Sequence, residues 1–198
     1  MLICGIAAIA ALPVPPAHAQ SDRRFEVGVQ VALVRSSQFD AWETGVGGRL
    51  AWWPSRLFGI EGEMNLFPRE FPHGRPFSGS CVEGLFGMIT GVQIGRVAPL
   101  VRVRPGFVVI GESPEPLACI LIYPPPIACT LAAGRTVFAL DLGGGLEVAA
   151  TSRTFVRVDL GDRAVRYPGP VFDTSRVVRD KPFFSHDFRV AAGAGVRF

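Results

Sequence analysis

The chain has 198 residues, nearly half of them hydrophobic, with a formal charge of +3, which fits one domain plus a targeting segment. Its basic residues are scattered, all but Lys181 are arginine, and no basic run is interleaved with aromatics, so no nucleic-acid partner is expected. Two uncharged runs approach a membrane-spanning length, 1–21 and 116–134, but prolines break both. A chain this hydrophobic without a spanning helix must hide its apolar surface in a core or turn it to lipid as a closed barrel.

Leu2 to Leu12 is almost wholly apolar, and Pro13, Pro15 and Pro16 then lead into Ala17-His18-Ala19. This h-region with a small-x-small site predicts a signal peptide over 1–19 and a mature domain over 20–198. No Lys or Arg precedes the run, and Cys4 lies at its start rather than at its end, which argues against a lipoprotein anchor. Export sets the reading of the other cysteines. Cys119 and Cys129 bracket a proline-rich segment and are candidates for a loop disulfide in an oxidising compartment, leaving Cys81 over. No His lies near them in sequence, so no metal site is expected, and no cofactor either.

From Phe25 onward, apolar and polar residues alternate with period two between turn signals, the pattern of strands. The segments are 25–35, 44–53, 57–67, 82–96, 100–110, 136–149, 154–167 and 183–198. In the first, Phe25, Val27, Val29, Val31 and Leu33 oppose Glu26, Gly28, Gln30 and Ala32. In the third, Phe58, Ile60, Met64 and Leu66 oppose Gly59, Glu61, Glu63 and Asn65. The last alternates through Phe188, Val190 and Val196 to the terminal Phe198. Three connections are short, around 54–57, 96–99 and 150–153. Four are long, 36–43, 68–81, 111–135 and 168–182. Sorting short turns to one side and long loops to the other is the layout of an outer-membrane barrel.

Alternation alone does not say which face points inward, so the composition of the polar face decides. It carries glycine and charges of both signs: Glu26, Glu61, Glu63, Asp141, Glu147, Asp159 and Asp187 against Arg49, Arg102, Arg104, Arg157, Arg189 and Arg197. Lysine is missing from it. The interior of an eight-stranded barrel has room only for side chains; arginine forks pair carboxylates bidentately there, and glycine makes space. The expected fold is therefore an all-β, eight-stranded antiparallel up-and-down transmembrane barrel with an ion-pair lumen, plug-like rather than open. Phe25, Trp52, Phe58 and Phe198 fall at the turn ends of their strands, and Tyr167, Phe183 and Phe184 near the opposite rim, as interfacial girdles.

Three stretches carry a family resemblance: Glu83-Gly84-Leu85-Phe86-Gly87 continuing to Arg104-Pro105-Gly106-Phe107, then Ala139 to Glu147, then Arg157-Val158-Asp159-Leu160-Gly161-Asp162. With the C-terminal strand ending in Phe198, the chain resembles the small eight-stranded outer-membrane β-barrels of OmpX/OmpA type over essentially its whole mature length. That resemblance implies a bacterial outer-membrane location, lipid and lipopolysaccharide as surroundings, and recognition of Phe198 by the barrel assembly machinery. It also implies adhesion or envelope-integrity roles and, for most members, no enzyme activity.

Other motifs are weaker. Gly143-Gly144-Gly145 and Gly45-Val46-Gly47-Gly48 precede no helix and read as strand glycines, not phosphate loops. Ser185-His186-Asp187 has the residue types of a triad, but adjacent strand positions point to opposite faces. His73, with Glu70 or Ser78 near it in sequence, is the other candidate for lipid chemistry at the outer rim. The leading expectation is a structural or interaction barrel without catalytic residues, whose apolar loop 111–135 is the best contact segment. The alternatives are a lipid A deacylase-like enzyme, which requires a His beside a carboxylate and a hydroxyl at the rim, a small-solute pore, and a soluble ligand-carrying barrel with an apolar interior.

Overall fold

The computed structural model describes residues 25–37, 41–68, 80–111, 116–121, 127–131, 134–168, 171–172, 178–179 and 181–198. The expected signal peptide and His73, Glu70 and Ser78 lie outside them. Among the described residues twelve strands follow in chain order: β1 (Phe25–Ser36), β2 (Ala41–Trp52), β3 (Phe58–Phe67), β4 (Cys81–Gly91), β5 (Val97–Ile110), β6 (Pro116–Leu121), β7 (Ile127–Leu131), β8 (Arg135–Ala149), β9 (Thr154–Tyr167), β10 (Val171–Phe172), β11 (Val178–Arg179) and β12 (Phe183–Arg197). Eight of them close a barrel in the order β1-β12-β9-β8-β5-β4-β3-β2, all antiparallel. The pairs β6–β7 and β10–β11 form separate two-stranded sheets within two of the long connections.

The closure has a definite stagger. Cross-strand partners run from Phe25 through Trp52, Ile60, Met88, Val103, Leu142, Asp162 and Phe188 and return to β1 at Arg35, ten residues above the start. Eight strands with that offset tilt by roughly 40° and enclose a backbone cylinder of about 8 Å radius. Because the offset is even, the inward face of every strand stays inward around the seam. No edge strand is left in the barrel to template aggregation.

The expected strands appear with two differences: β1 and β2 stay paired as far as Ser36 and Ala41, so the connection expected to be long at 36–43 spans only 37–40, and one turn is displaced. The alternation of Val92 and Ile94 suggested that the fourth strand runs on to Arg96 and turns at Val97-Ala98-Pro99. Instead the chain reverses at Gly95-Arg96, where Gly95 takes φ 62° and Ile94 and Val97 exchange both backbone hydrogen bonds. Only glycine adopts that backbone at little cost, and Gln93 Nε2 donates to Gly95 O at 2.6 Å. Pro99 then lies within β5 opposite Leu146. Pro105 is also in β5, and the β4–β5 register skips from Leu85↔Gly106 to Met88↔Val103 beside it; proline has no N–H to complete that stretch of the ladder.

The outer surface is apolar over most of the wall, with Arg35, Asp162, Arg166 and His186 outward near the loop end. Val29, Leu50, Met64, Phe86, Met88, Val101 and Leu160 are each more than half exposed. An apolar surface this continuous is incompatible with a water-soluble monomer and matches a hydrocarbon environment. Phe25, Trp52, Phe58 and Phe198 ring the turn end as expected, all exposed. At the loop end the outward aromatics among the described residues include Trp42, Phe107, Phe138, Phe184 and Phe188, with Trp42 and Phe188 edge to face at 6.5 Å. Tyr167 is not among them. It is buried inside the barrel and stacks on the half-buried Phe183 at 5.6 Å, because Arg166 rather than Tyr167 occupies the outward parity of β9.

Candidate functional site

The barrel interior gathers the charges of the polar face. Among the described residues Glu26, Glu61, Glu63, Glu83, Asp141, Glu147, Asp159 and Asp187 are buried with Arg49, Arg102, Arg104, Arg157, Arg163, Arg189 and Arg197. All thirteen expected charges are there, and Glu83 and Arg163 join them. Both continue the inward parity of their strands, and following the alternation back from Gly87 in β4 and on from Gly161 in β9 would have found them.

Arg104 is the hub. It is wholly buried; Nη1 donates to Glu61 Oε1 and Glu63 Oε2, each at 2.6 Å, and Nη2 to Asp141 Oδ2 at 2.8 Å. Arg157 reaches Glu61 Oε2 at 2.5 Å and Asp159 Oδ1 at 2.8 Å. Arg102 lies between Asp141 (2.8 Å) and Asp159 (2.5 Å), and Arg189 pairs with Glu63. Toward the loop end Arg163 bridges Glu83 and Asp187, both at 2.8 Å. Asn65 Nδ2 donates to Glu63 and Glu83, and Gln30 donates to Asn65. Toward the turn end Arg197 joins Glu26 (3.0 Å) to Glu147. A charge withdrawn from water is tolerable only where paired and hydrogen-bonded; each of these groups has at least one such partner, while Arg102 Nη1 and Nη2, Arg189 Nε and Nη1, Arg49 Nη2, Arg163 Nε, Asp141 Oδ1 and Glu147 Oε2 are buried without a hydrogen bond.

The network lies among apolar side chains on the same inward face. At the turn end Ala51, Trp53, Ile89, Ala98 and Leu100 pack together. Toward the loop end there are two further clusters, Leu85, Val108, Val137, Ala139, Val165 and Tyr167, and Ala32, Val34, Phe67 and Ala191. Apart from the alanines Ala32, Ala51 and Ala191, the polar face read from the sequence omitted these residues. Their strands are apolar on both faces near the rims, so alternation there carries no signal. Phe155 is likewise inward and buried, between the guanidinium carbons of Arg197 (4.8 Å) and Arg49 (5.3 Å) from its centroid.

Glycines make room for these side chains. A methyl group on Gly59 would come within 2.9 Å of the Trp53 ring, and one on Gly145 would overlap Asp159 Oδ1. The run Gly143-Gly144-Gly145 thus lies in a strand wall, as its lack of a following helix implied.

The triad-like Ser185-His186-Asp187 is divided by the wall. Ser185 and Asp187 face the lumen, where Ser185 Oγ hydrogen-bonds Ser37 Oγ (2.8 Å) and Asp187 Oδ1 (3.3 Å). His186 faces outward with its side chain 68 % exposed, and its Nδ1 lies 2.7 Å from Asp162 Oδ2 of the neighbouring strand. Sequence reasoning missed this partner because Asp162 is 24 positions away and meets His186 only through the β9–β12 register. Cys81 is a free, half-buried thiol packed against the loop-end clusters. In the β6–β7 hairpin Cys119 and Cys129 are direct cross-strand partners.

A closed barrel with an apolar exterior, aromatic rims and a charged interior has the fold of the small eight-stranded outer-membrane β-barrels. Among solved structures it is similar to the N-terminal β-barrel domain of Pseudomonas aeruginosa OprF, with TM-score 0.51 and 10 % identity over 89 % of this chain and 100 % of that one. It is also similar to Neisserial surface protein A, with TM-score 0.53 and 15 % identity over 88 % of this chain and 97 % of that one. Both are outer-membrane barrels, and this chain has the exterior such a location requires. No protein-family model matches the chain, and no curated protein does.

Proposed function

We propose that this chain is a structural or interaction barrel of the bacterial outer membrane, holding surface-exposed loops on a rigid, non-conducting anchor. The observation that carries the reading is the ion-pair network around Arg104, buried between apolar clusters: it fills the interior of a narrow barrel with paired side chains. The asymmetry of the rims supports the second half. Turns 53–57, 92–96 and 150–153 join the strands at one rim, while three of the four connections at the other, 68–80, 111–134 and 168–182, are long, two with their own hairpins. The loop around β6 and β7 is the contact segment of this reading, and Phe198, exposed at the turn end, is the signal for the assembly machinery.

Planar-bilayer recordings test it. The refolded barrel should give no reproducible conductance steps; uniform channels would replace this reading with the small-solute pore. Protease treatment of intact cells should cut within 68–80 or 111–134 and spare the three short turns, and the opposite pattern would reverse the orientation.

One observation favours a lipid-modifying enzyme: His186 stands beside a carboxylate at the loop-end rim. That chemistry also needs a nucleophile held by the imidazole, and among the described residues no hydroxyl hydrogen-bonds to His186. Ser185 Oγ is turned into the lumen. The reading adopted here therefore assigns the barrel no catalytic step.

A further inference from the structure

The turns at one end of the barrel, 53–57, 92–96 and 150–153, are too short to fold back into it, so side chains must close the lumen there. One half of the inner wall at that level is apolar, with Ala51, Trp53, Ile89, Ala98 and Leu100 packed together. The other half, across β8, β9, β12 and β1, carries Glu147, Phe155, Arg197 and Glu26 as buried inward residues. The next inward positions on β12 and β1 are Gly195 and Gly28, register partners across the seam where the first and last strands meet. Phe155 lies over Gly195, where an added methyl would come within 2.5 Å of the ring. Arg49 lies over Gly28, where an added methyl would be 3.1 Å from Nε.

Phe155 is thereby held between two guanidiniums, Arg197 at 4.8 Å and Arg49 at 5.3 Å from its centroid, and is itself 1 % exposed. The two arginines have different surroundings. Arg197, at the mouth, pairs with Glu26 and Glu147. Arg49 belongs to the network behind: its ion pair is with Asp159 at 3.2 Å, a carboxylate that also takes Arg102 and Arg157. Its Nη2 is buried and makes no hydrogen bond. Such a group is costly to shut away from water unless something takes the place of the water. The face of an aromatic ring is what a dry site can offer, and its attraction for a guanidinium grows as water is removed.

We infer that Phe155 is the septum of the lumen: its ring keeps water at the turn end off Arg49 and the ion-pair network behind it, and stands in for that water at both guanidiniums. The inference rests on the reading of the chain as a filled, non-conducting barrel and deepens it by naming the side chain that shuts this end. Two glycines make the septum possible, since a side chain at position 195 would displace the ring and one at position 28 would displace Arg49. Without the ring, the void left behind is lined by two guanidiniums and their carboxylates, and a void of that size and polarity takes up water. Leucine in its place keeps the apolar bulk but has no face for the guanidiniums to rest on. Exclusion of water and attraction to the ring are therefore separable at this one position.

The test follows guanidinium N–H exchange with solvent by NMR in the full mature barrel, refolded in phosphatidylcholine nanodiscs, with the exposed turn residues Arg56 and Arg96 as internal references. Arg49 should exchange at least about tenfold more slowly than the references. Phe155→Ala should abolish most of that difference, and Phe155→Leu should keep it. Wild-type Arg49 exchanging at the rate of Arg56 overturns the inference without any variant. A Phe155→Ala barrel that is still heat-modifiable and still protects Arg49 overturns it as well, because other side chains then make the seal. Where Phe155→Ala does not fold, Phe155→Val takes its place with the same two outcomes. If the wild-type chain does not enter the bilayer as a heat-modifiable species, the barrel reading itself fails, a result distinct from the others.

Discussion

Arg104→Met removes the hub of the lumen while keeping most of its length. The guanidinium makes close contacts with three carboxylates, Glu61, Glu63 and Asp141, and is wholly buried. Taking one partner from a buried ion pair costs about 3–5 kcal/mol, because the remaining charge loses its compensation without regaining water. Here each carboxylate keeps another arginine: Glu61 keeps Arg157, Glu63 keeps Arg189 and Asp141 keeps Arg102. The cost should therefore fall at the lower end, about 3 kcal/mol, which reduces the folded-to-unfolded ratio more than a hundredfold. Among the described buried groups the excess of carboxylates over guanidiniums rises from one to two. Adding Glu63→Gln returns that excess to one and should recover about 1 kcal/mol or more despite being a second mutation in the core. Urea unfolding in phosphatidylcholine vesicles, read by tryptophan fluorescence and by heat-modifiable mobility, measures both. A loss under about 0.5 kcal/mol for Arg104→Met, the range of an ordinary surface change, would mean that Arg104 is hydrated and the sealed lumen is wrong.

Three further outcomes follow from the same geometry. Val103→Arg, outward near mid-height on β5, should cost about 2–4 kcal/mol in vesicle unfolding, and Val148→Arg, outward at the turn end of β8, about 0–1 kcal/mol; equal costs would deny that the wall faces hydrocarbon. Gly145→Ala should destabilise by about 1–3 kcal/mol, since its methyl overlaps the Asp159 carboxylate, whereas Gly48→Ala, whose methyl would be 3.5 Å from its nearest neighbour, should stay within about 0.5 kcal/mol. In single-tryptophan variants, brominated lipid should quench Trp52 and Trp42, which are 45 % and 48 % exposed, and leave Trp53, at 8 %, emitting; quenching of Trp53 would reverse the parity of β2.

The sequence by itself determined what period-two alternation can express. Each strand tells its own two faces apart locally, so Glu61 and Glu63 against Met64 and Leu66, or Arg102 and Arg104 against Val101 and Val103, were assigned to the inside and the outside correctly. Turn residues and connection lengths supplied the strand count and told one rim from the other. Local pattern fails where both faces are apolar, which is why Leu85, Ile89 and Val108 were not seen as lumen residues. It fails again where a turn depends on a single backbone torsion, as at Gly95.

Only the tertiary structure decided who meets whom. Arg157 joins Glu61 across 96 positions and Arg189 joins Glu63 across 126. His186 finds Asp162 and not the carboxylate next to it in sequence. These pairings depend on the closure stagger and the tilt it imposes, quantities that belong to the whole ring of eight strands and to no segment of it. Shifting one register by two residues would leave every alternation unchanged and still move its charges onto different partners.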